Sequence, residues 1–236
     1  LNDLFFQSAN IGWVCGDNGS IKKTTNGGTV WTTNNFGADN YKSIYFLSNS
    51  STGFISGTNG KIIKTTNSGT NWVSQTSNTT KSLNCITFSD SLIGYAVGDS
   101  GIVLKTTNGG TNWITQISHT ILNLRSVDKM DANKIIASGD RGIIIYTING
   151  GAEWIQRVGV SSNRLNRVCI PPSDSLATAI GVKGWLVKAN KPFYEYLIND
   201  TFYKINVNNL SAGWQTKAAL PIPIAEVFSS SAVIND

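Results

Sequence analysis

The five arginines of the chain are the residues whose type and spacing most directly suggest chemistry. All of them lie in one stretch, and they are Arg125, Arg141, Arg157, Arg164 and Arg167. A guanidinium group presents a planar fork of donors that binds carboxylates and other anions. We therefore predict an anion-binding patch that contacts an acidic partner. Ordinary solvated surface charge is the alternative.

Acid–base and nucleophilic chemistry has few candidate residues. The single histidine, His119, lies in a stretch rich in Ser and Thr, where we expect exposed polar surface rather than a general base. The three glutamates are Glu153, Glu195 and Glu226. Glycosidases need two placed carboxylates or, in sialidases, a tyrosine nucleophile with its partners. We predict that the chain is not an enzyme and uses no cofactor or metal, with a glycan-active enzyme as the alternative.

Composition excludes several classes of protein. The 236 residues are 40% hydrophobic and only 14% charged, with a net charge of +5. No apolar run reaches the ~18 residues of a membrane helix, so we predict no direct membrane insertion. The aromatics, 7 Trp, 7 Tyr and 9 Phe, can build a core, which argues against a disordered chain. They also recur periodically, as core residues would, which argues against nucleic-acid binding.

The three cysteines indicate neither a disulfide framework nor a metal site. Cys15, Cys85 and Cys169 lack the C-x-x-C spacing of metal ligands. We expect small buried side chains, with one disulfide and one thiol as the alternative.

A period of 41 residues organises the elements that must position these side chains. Trp31, Trp72, Trp113 and Trp154 are spaced by this step, as are Gly16, Gly57, Gly98 and Gly139. Each repeat reads as four short strands, and the repeats start near positions 1, 43, 83, 124 and 165. A G-D-x-G or G-T-N-G turn joins the second strand to the third. Four strands every ~40–45 residues predict an all-β fold, a β-propeller of four-stranded antiparallel blades.

The turn before each periodic tryptophan carries the sharpest motif, Thr-x-Asn-x-Gly-x-x-Trp, which we call the Asn-box. Its side chains suit a structural role: Asn accepts backbone N–H bonds across the turn, Gly takes the left-handed position, and Trp packs between sheets. The four boxes are Thr24, Asn26, Gly28, Trp31; Thr65, Asn67, Gly69, Trp72; Thr106, Asn108, Gly110, Trp113; and Thr147, Asn149, Gly151, Trp154. A fifth, weaker repeat begins at Gly181 and lacks the box.

The repeat resembles the Asp-box, or bacterial neuraminidase repeat, with Asn in place of Asp. The whole unit, including GWVCGDNGSIKKTTNGGTVW, resembles the photosystem II assembly-factor family of propellers over residues 1 to about 190. The resemblance implies seven blades and, in photosynthetic members, a basic patch for a partner. At this period 236 residues hold about six blades, so we expect a fragment of a seven-bladed or larger ring. Residues 191–236 resemble a Kelch-like closing segment, and the domain prediction is one propeller over 1–236.

Strand direction places the G-D-x-G turns and the links between repeats on one face of the propeller, and the Asn-boxes on the other. Lys23, Lys64 and Lys105 recur at one third-strand position, where we predict solvated side chains that protect sheet edges. Residues 194–196 fall where the fourth strand of the fifth repeat is expected.

The prediction is a non-catalytic, extracytoplasmic propeller that acts as a protein-binding, adhesion or display module of a larger secreted or cell-surface protein. Its partners would be another protein or neighbouring domains of the same polypeptide, or a glycan. The alternatives are an assembly factor like the photosystem II family and a glycan-binding or sialidase-like propeller. We expect that a leader is not part of this chain.

Overall fold

A computed structural model describes residues 1–157, 162–170, 177–182, 185–189 and 202–206. Their strands form five antiparallel sheets of four strands each, and in every sheet the strands follow chain order. This is the propeller architecture that the repeat predicts, and we number the sheets as blades 1 to 5. Among the described residues no helix has the length and hydropathy that a membrane span would need.

The strands of the first three blades are short, and their bounds follow the 41-residue period. They are β1 (Asp3–Phe6), β2 (Gly12–Cys15), β3 (Ile21–Thr24), β4 (Thr32–Thr33), β5 (Tyr41–Phe46), β6 (Gly53–Gly57), β7 (Ile62–Thr65), β8 (Val73–Gln75), β9 (Leu83–Phe88), β10 (Gly94–Gly98), β11 (Val103–Thr106) and β12 (Ile114–Gln116).

Blades 4 and 5 continue the pattern. They contain β13 (Leu124–Lys129), β14 (Ile135–Gly139), β15 (Ile144–Thr147), β16 (Ile155–Arg157), β17 (Leu165–Cys169), β18 (Thr178–Gly181), β19 (Trp185–Ala189) and β20 (Phe202–Asn206). β20 pairs with β19 as the fourth strand of blade 5, so the assignment of that strand to residues 194–196 is wrong. Residues 194–196 lie outside the described residues, as does the rest of the Kelch-like segment apart from β20.

The first strands of successive blades contact one another and surround the central axis. The second and third strands are buried on both faces in blades 2 to 4, because each blade lies between two others. This double burial explains why these strands read as continuous apolar runs rather than as alternating ones. The core is therefore divided into clusters between neighbouring blades.

One face of blade 1 is not covered by another described blade, and its apolar side chains are exposed. Leu4 and Phe6 of β1 are 61% and 40% exposed, whereas Ile44 and Phe46 of β5, at the same places in blade 2, are 3% and 1% exposed. Trp31, the tryptophan of the first Asn-box, is correspondingly only half-buried and meets Phe6 edge-on.

All three cysteines are free thiols. Cys15 and Cys85 are buried, as the sequence predicts, whereas Cys169 is exposed. Burial raises the pKa of both buried thiols, and nearby Asp3 adds to this effect.

Candidate functional site

The Asn-boxes lie on one face of the propeller, and all four share the hydrogen bonds between the Thr and Asn side chains and the backbone of the turn. In blade 2 the Asn67 side-chain oxygen accepts from the backbone N–H of Asn71 at 2.9 Å, and the Thr65 hydroxyl donates to Asn67 at 3.0 Å. The Thr65 oxygen also accepts from the N–H of Gly69, which has a φ of 78°. These bonds satisfy the backbone groups of a sharp turn and direct the following Trp72 into the core. These hydrogen bonds all lie within the turn, which suits a structural role.

The periodic lysines are not solvated edge residues, and the sequence prediction for them is wrong. Lys23, Lys64 and Lys105 each reach the Asn-box of the next blade, where the ammonium donates to the carbonyl of Ser68, Gly109 and Gly150, at 2.9, 2.7 and 2.6 Å. Each ammonium also lies 5.4 to 5.7 Å from the centre of an aromatic ring of its own blade. The lysines therefore join blades through a charge-assisted hydrogen bond and a cation–π contact.

The opposite face carries the G-D-x-G turns and the links between blades, in agreement with the sequence. Asp99–Gly101 and Asp140–Gly142 are short 3-10 turns whose middle residues, Ser100 and Arg141, have φ of 55° and 54°. The link that follows packs closely on the turn, because a Cβ at Gly101 would lie 1.9 Å from the Thr120 carbonyl oxygen. We call this surface the link face.

Arg125 forms an ion pair that stabilises one of these turns. Its Nε and Nη2 donate to the two carboxylate oxygens of Asp140 at 2.9 and 2.8 Å. This hydrogen bonding lowers the pKa of Asp140, to which the charge of Arg164 also contributes. Arg125 and Asp140 are fifteen residues apart, as are Asn2 and Asp17 or Asn84 and Asp99, which are hydrogen-bonded in blades 1 and 3. That spacing is a signal that sequence reasoning missed.

Two arginines are left on the link face beside this pair. Arg141 is exposed at the apex of its turn and has no hydrogen bond or ion pair with another described residue. Arg164 is exposed, and its Nε donates to the Asn166 side chain at 2.7 Å. Both can present a guanidinium group to a ligand.

The remaining two arginines lie elsewhere. Arg157 belongs to β16, where it donates to the Tyr146 hydroxyl at 3.2 Å and lies over that ring. Arg167 belongs to the first strand of blade 5, and its Nη1 lies 3.5 Å from a carboxylate oxygen of Asp3 in blade 1. The structure therefore divides the five arginines between the link face, an outer strand and the central axis.

Asp3 and Arg167 belong to a set of equivalent first-strand positions that sequence reasoning missed. Four side chains at this position bond to the backbone of the next blade's first strand: Asp3 to Ile44 N at 3.0 Å, Ser43 to Ile86 N at 3.3 Å, Cys85 to the Val127 carbonyl at 3.7 Å, and Ser126 to Val168 N at 3.1 Å. Arg167, which has this position in blade 5, instead forms an ion pair with Asp3 of blade 1. A small polar residue recurring at a step of 40 to 42 residues was the available signal.

A shallow groove on the link face of blade 2 has a volume of about 660 Å³. It is lined by Gly60 and by residues with polar or charged side chains, which are Asn59, Lys61, Ser74, Gln75, Thr76, Ser77, Asn78, Thr79, Thr80 and Lys81.

The candidate catalytic residues do not converge in the part of the chain that the structure describes. His119 is exposed in a link on the link face, whereas Glu153 is exposed in an Asn-box on the other face. Glu195 and Glu226 lie outside the described residues. The described residues contain no group of three His, Cys, Asp or Glu side chains that could hold a metal ion.

Comparison with known proteins gives both a family and a set of similar structures. The family model described as photosynthesis system II assembly factor YCF48 matches residues 1–213. A solved structure of YCF48 from Cyanidioschyzon merolae is 19% identical, with a TM-score of 0.68 over 89% of this chain and 72% of that one. A structure titled YCF48 bound to D1 peptide is also 19% identical, with a TM-score of 0.63. The match covers 80% of this chain and 62% of that protein, so this chain spans less than two thirds of its length.

Enzymes share the fold as well. An ancestral GH74 enzyme is 17% identical, with a TM-score of 0.65 over 87% of this chain but only 32% of the enzyme. Comparison with curated proteins found no match. The structural likenesses establish the propeller fold, and the family match over residues 1–213 establishes the kinship: this chain belongs to the YCF48 family of photosystem II assembly factors.

Proposed function

We propose that this chain is a non-catalytic propeller that binds an acidic segment of a partner protein on its link face, across blades 4 and 5. The observation that carries the proposal is the pair Arg141 and Arg164, both exposed beside an Asp140 that Arg125 already occupies. Because Arg125 engages both oxygens of that carboxylate, the two outer guanidinium groups keep donors for a ligand. The D1 peptide bound to a YCF48 structure supports a peptide as the ligand class.

The setting we propose is extracytoplasmic. The low content of charged residues, 14%, supports this placement, as does the prevalence of Asn, Thr and Ser. Family membership favours an assembly role, in which the propeller holds a segment of a client protein, over adhesion or display. Fractionation of source cells with an antibody to this chain tests the location, and recovery from the cytoplasm alone would contradict it.

Charge reversal tests the arginine pair. The probe is a set of overlapping D1-derived peptides, and affinity is measured by calorimetry for the wild type and for Arg141→Glu/Arg164→Glu. We expect the double variant to lose affinity by about tenfold or more, because each hydrogen bond to a charged group contributes about 1.5–3 kcal/mol. The melting temperature should not change, since neither side chain packs in the core.

Lys81→Glu is the matched control, because Lys81 is an exposed cation on the same face in blade 2. It should retain wild-type affinity if the arginines bind a local carboxylate. Equal losses in both variants would show that net charge alone attracts the peptide, and unchanged affinity in the arginine variant would reject the site. Release of sugars from a glycan panel by the wild type would overturn the non-catalytic assignment.

A further inference from the structure

Two links on the link face have the same backbone conformation but different side chains. Each link is preceded by a fourth strand, β8 or β12, and the strand and link together span residues 73–81 in blade 2 and 114–122 in blade 3, which read VSQTSNTTK and ITQISHTIL. In both, a serine hydroxyl accepts from a backbone N–H two residues later at 3.4 Å, in Ser77 and Ser118. The residue after each serine is left-handed, with φ of 59° at Asn78 and 57° at His119. The same turn therefore forms from two different sets of side chains.

Isoleucine replaces threonine at two places in the blade 3 link. Ile117 and Ile121 correspond to Thr76 and Thr80, and they are 75% and 87% exposed. Since blade 2 builds the turn with threonines, neither isoleucine is needed for its conformation. Nor does either contribute to the core at such exposure. The link therefore offers two large apolar side chains to solvent within five residues, and exposed apolar surface of this kind marks interaction sites where it is contiguous.

The blade 3 link runs directly into the arginine site. Asn123, two residues beyond Ile121, accepts from the N–H of Ser100 through its side chain at 2.8 Å and from the N–H of Asp140 through its carbonyl at 2.9 Å. The link is thus fixed against the turn that carries Arg141. The link that carries the isoleucines and the turn that carries Arg141 are therefore neighbours on the link face, and Arg164 lies near enough to that turn for its charge to lower the pKa of Asp140.

Resting on the proposed function, we infer that the partner segment is amphiphilic: apolar side chains pack on Ile117 and Ile121 while an adjacent carboxylate binds Arg141 and Arg164. A peptide fits this surface better than an anionic membrane does. Asp99 lies in a turn of the same face, where the neutral Asn84 side chain donates to its carboxylate. A flat layer of anionic headgroups would meet this carboxylate, whereas a single acidic side chain can avoid it.

The probes are two synthetic peptides of about ten residues with the same glutamates, one with leucines between them and one with serines. The wild type should bind the leucine peptide about tenfold more tightly, which is about 1.4 kcal/mol, because the leucines bury apolar surface on the isoleucines. Ile117→Thr/Ile121→Thr restores the residues of blade 2, so it should fold normally and lose this preference. Ile114→Thr removes a side chain of β12 that is 62% exposed outside the link, and it should keep the preference.

Each outcome separates the inference from the proposed function. An undiminished leucine preference in the isoleucine double variant overturns the inference. If, in that case, Arg141→Glu/Arg164→Glu abolishes binding of both peptides, the proposed function is retained although the inference about the isoleucines is rejected. A wild type that binds neither peptide contradicts both. Binding to vesicles of phosphatidylcholine and phosphatidylglycerol, lost in the isoleucine double variant and without a peptide preference, would assign the surface to lipid instead.

Discussion

The interface between blades 2 and 3 and the interface between blades 4 and 5 solve the same packing problem with different side chains. In the first, Phe54 and Phe88 stack with centroids 3.9 Å apart, Trp113 meets Phe88 edge-on at 5.9 Å, and Lys64 bonds to the Gly109 carbonyl. In the second, the buried cluster is mostly aliphatic and includes Ile136, Leu165, Val168 and Ile170. Tyr146 takes the place of the lysine, and it contacts Arg157.

The difference shows how much one repeated turn contributes. An Asn-box fixes the direction of its own tryptophan and also offers a carbonyl to the lysine of the preceding blade. Blade 5 has no box in its sequence. Among the described residues, its contact with blade 4 therefore depends on the burial of aliphatic side chains. We expect blades 1 to 4 to form the more stable part of the molecule, with blade 5 the first to open.

The largest effect should come from truncating the aromatic stack. Phe88→Ala removes ring contacts with Phe54, Trp113 and Tyr45 and leaves a cavity, and it should lower the free energy of unfolding by about 3–5 kcal/mol. Ile170→Ala, which shortens a buried residue of the blade 4–5 cluster, should cost about 2 kcal/mol. Urea denaturation of the two variants measures the contrast. Equal losses would show that the two interfaces have the same strength.

A smaller effect should follow from removing a lysine that joins blades. Lys64→Met keeps the apolar stem but loses the hydrogen bond to Gly109 and the contact with Phe54, at a cost of about 1.5 kcal/mol. Lys22→Met is the control, since Lys22 is a half-buried lysine of the third strand of blade 1. Its free energy of unfolding should change by only a few tenths of a kcal/mol. A similar loss in both variants would deny Lys64 a role at the interface.

The smallest effect should come from the Asn-box itself. Asn108→Ala removes the acceptor for the N–H of Asn112 and the partner of the Thr106 hydroxyl, and it should cost about 1 kcal/mol. Asn112→Ala alters an exposed side chain in the same turn and should be nearly neutral. Thermal unfolding measures both, and peptide affinity should be unchanged in each. Loss of peptide binding in Asn108→Ala would contradict the separation of the two faces.

Much of the fold is predictable from spacing because each blade is a local unit. Trp72, Trp113 and Trp154 recur at the 41-residue step and are 5%, 2% and 2% exposed, because a blade buries its apolar residues only against its neighbours. The period places the fourth strand of blade 5 too early in the chain, because that strand is β20 at Phe202–Asn206 and blade 5 departs from the 41-residue step.

The candidate site is less predictable, since it depends on contacts between repeats. Lys64 looks solvent-facing in its own strand, but the next blade brings the Gly109 carbonyl within 2.7 Å of the ammonium. The five arginines are neighbours in sequence, yet Arg167 faces Asp3, which is more than 160 positions earlier in the chain. Spacing alone cannot assign such partners, because ion pairs form wherever the ring brings opposite charges together.

By itself, the sequence determined the blade: four strands, an Asn-box turn with its internal hydrogen bonds, and a tryptophan that packs against a neighbouring sheet. Those features follow from hydrogen bonds and side-chain periodicity within about forty residues. Only the tertiary structure decided which charges are already paired and which remain exposed. Arg125 is occupied by Asp140, whereas Arg141 and Arg164 are left on the link face beside two exposed isoleucines. The reason is physical: exposure and pairing depend on how blades surround one another, which no single repeat specifies.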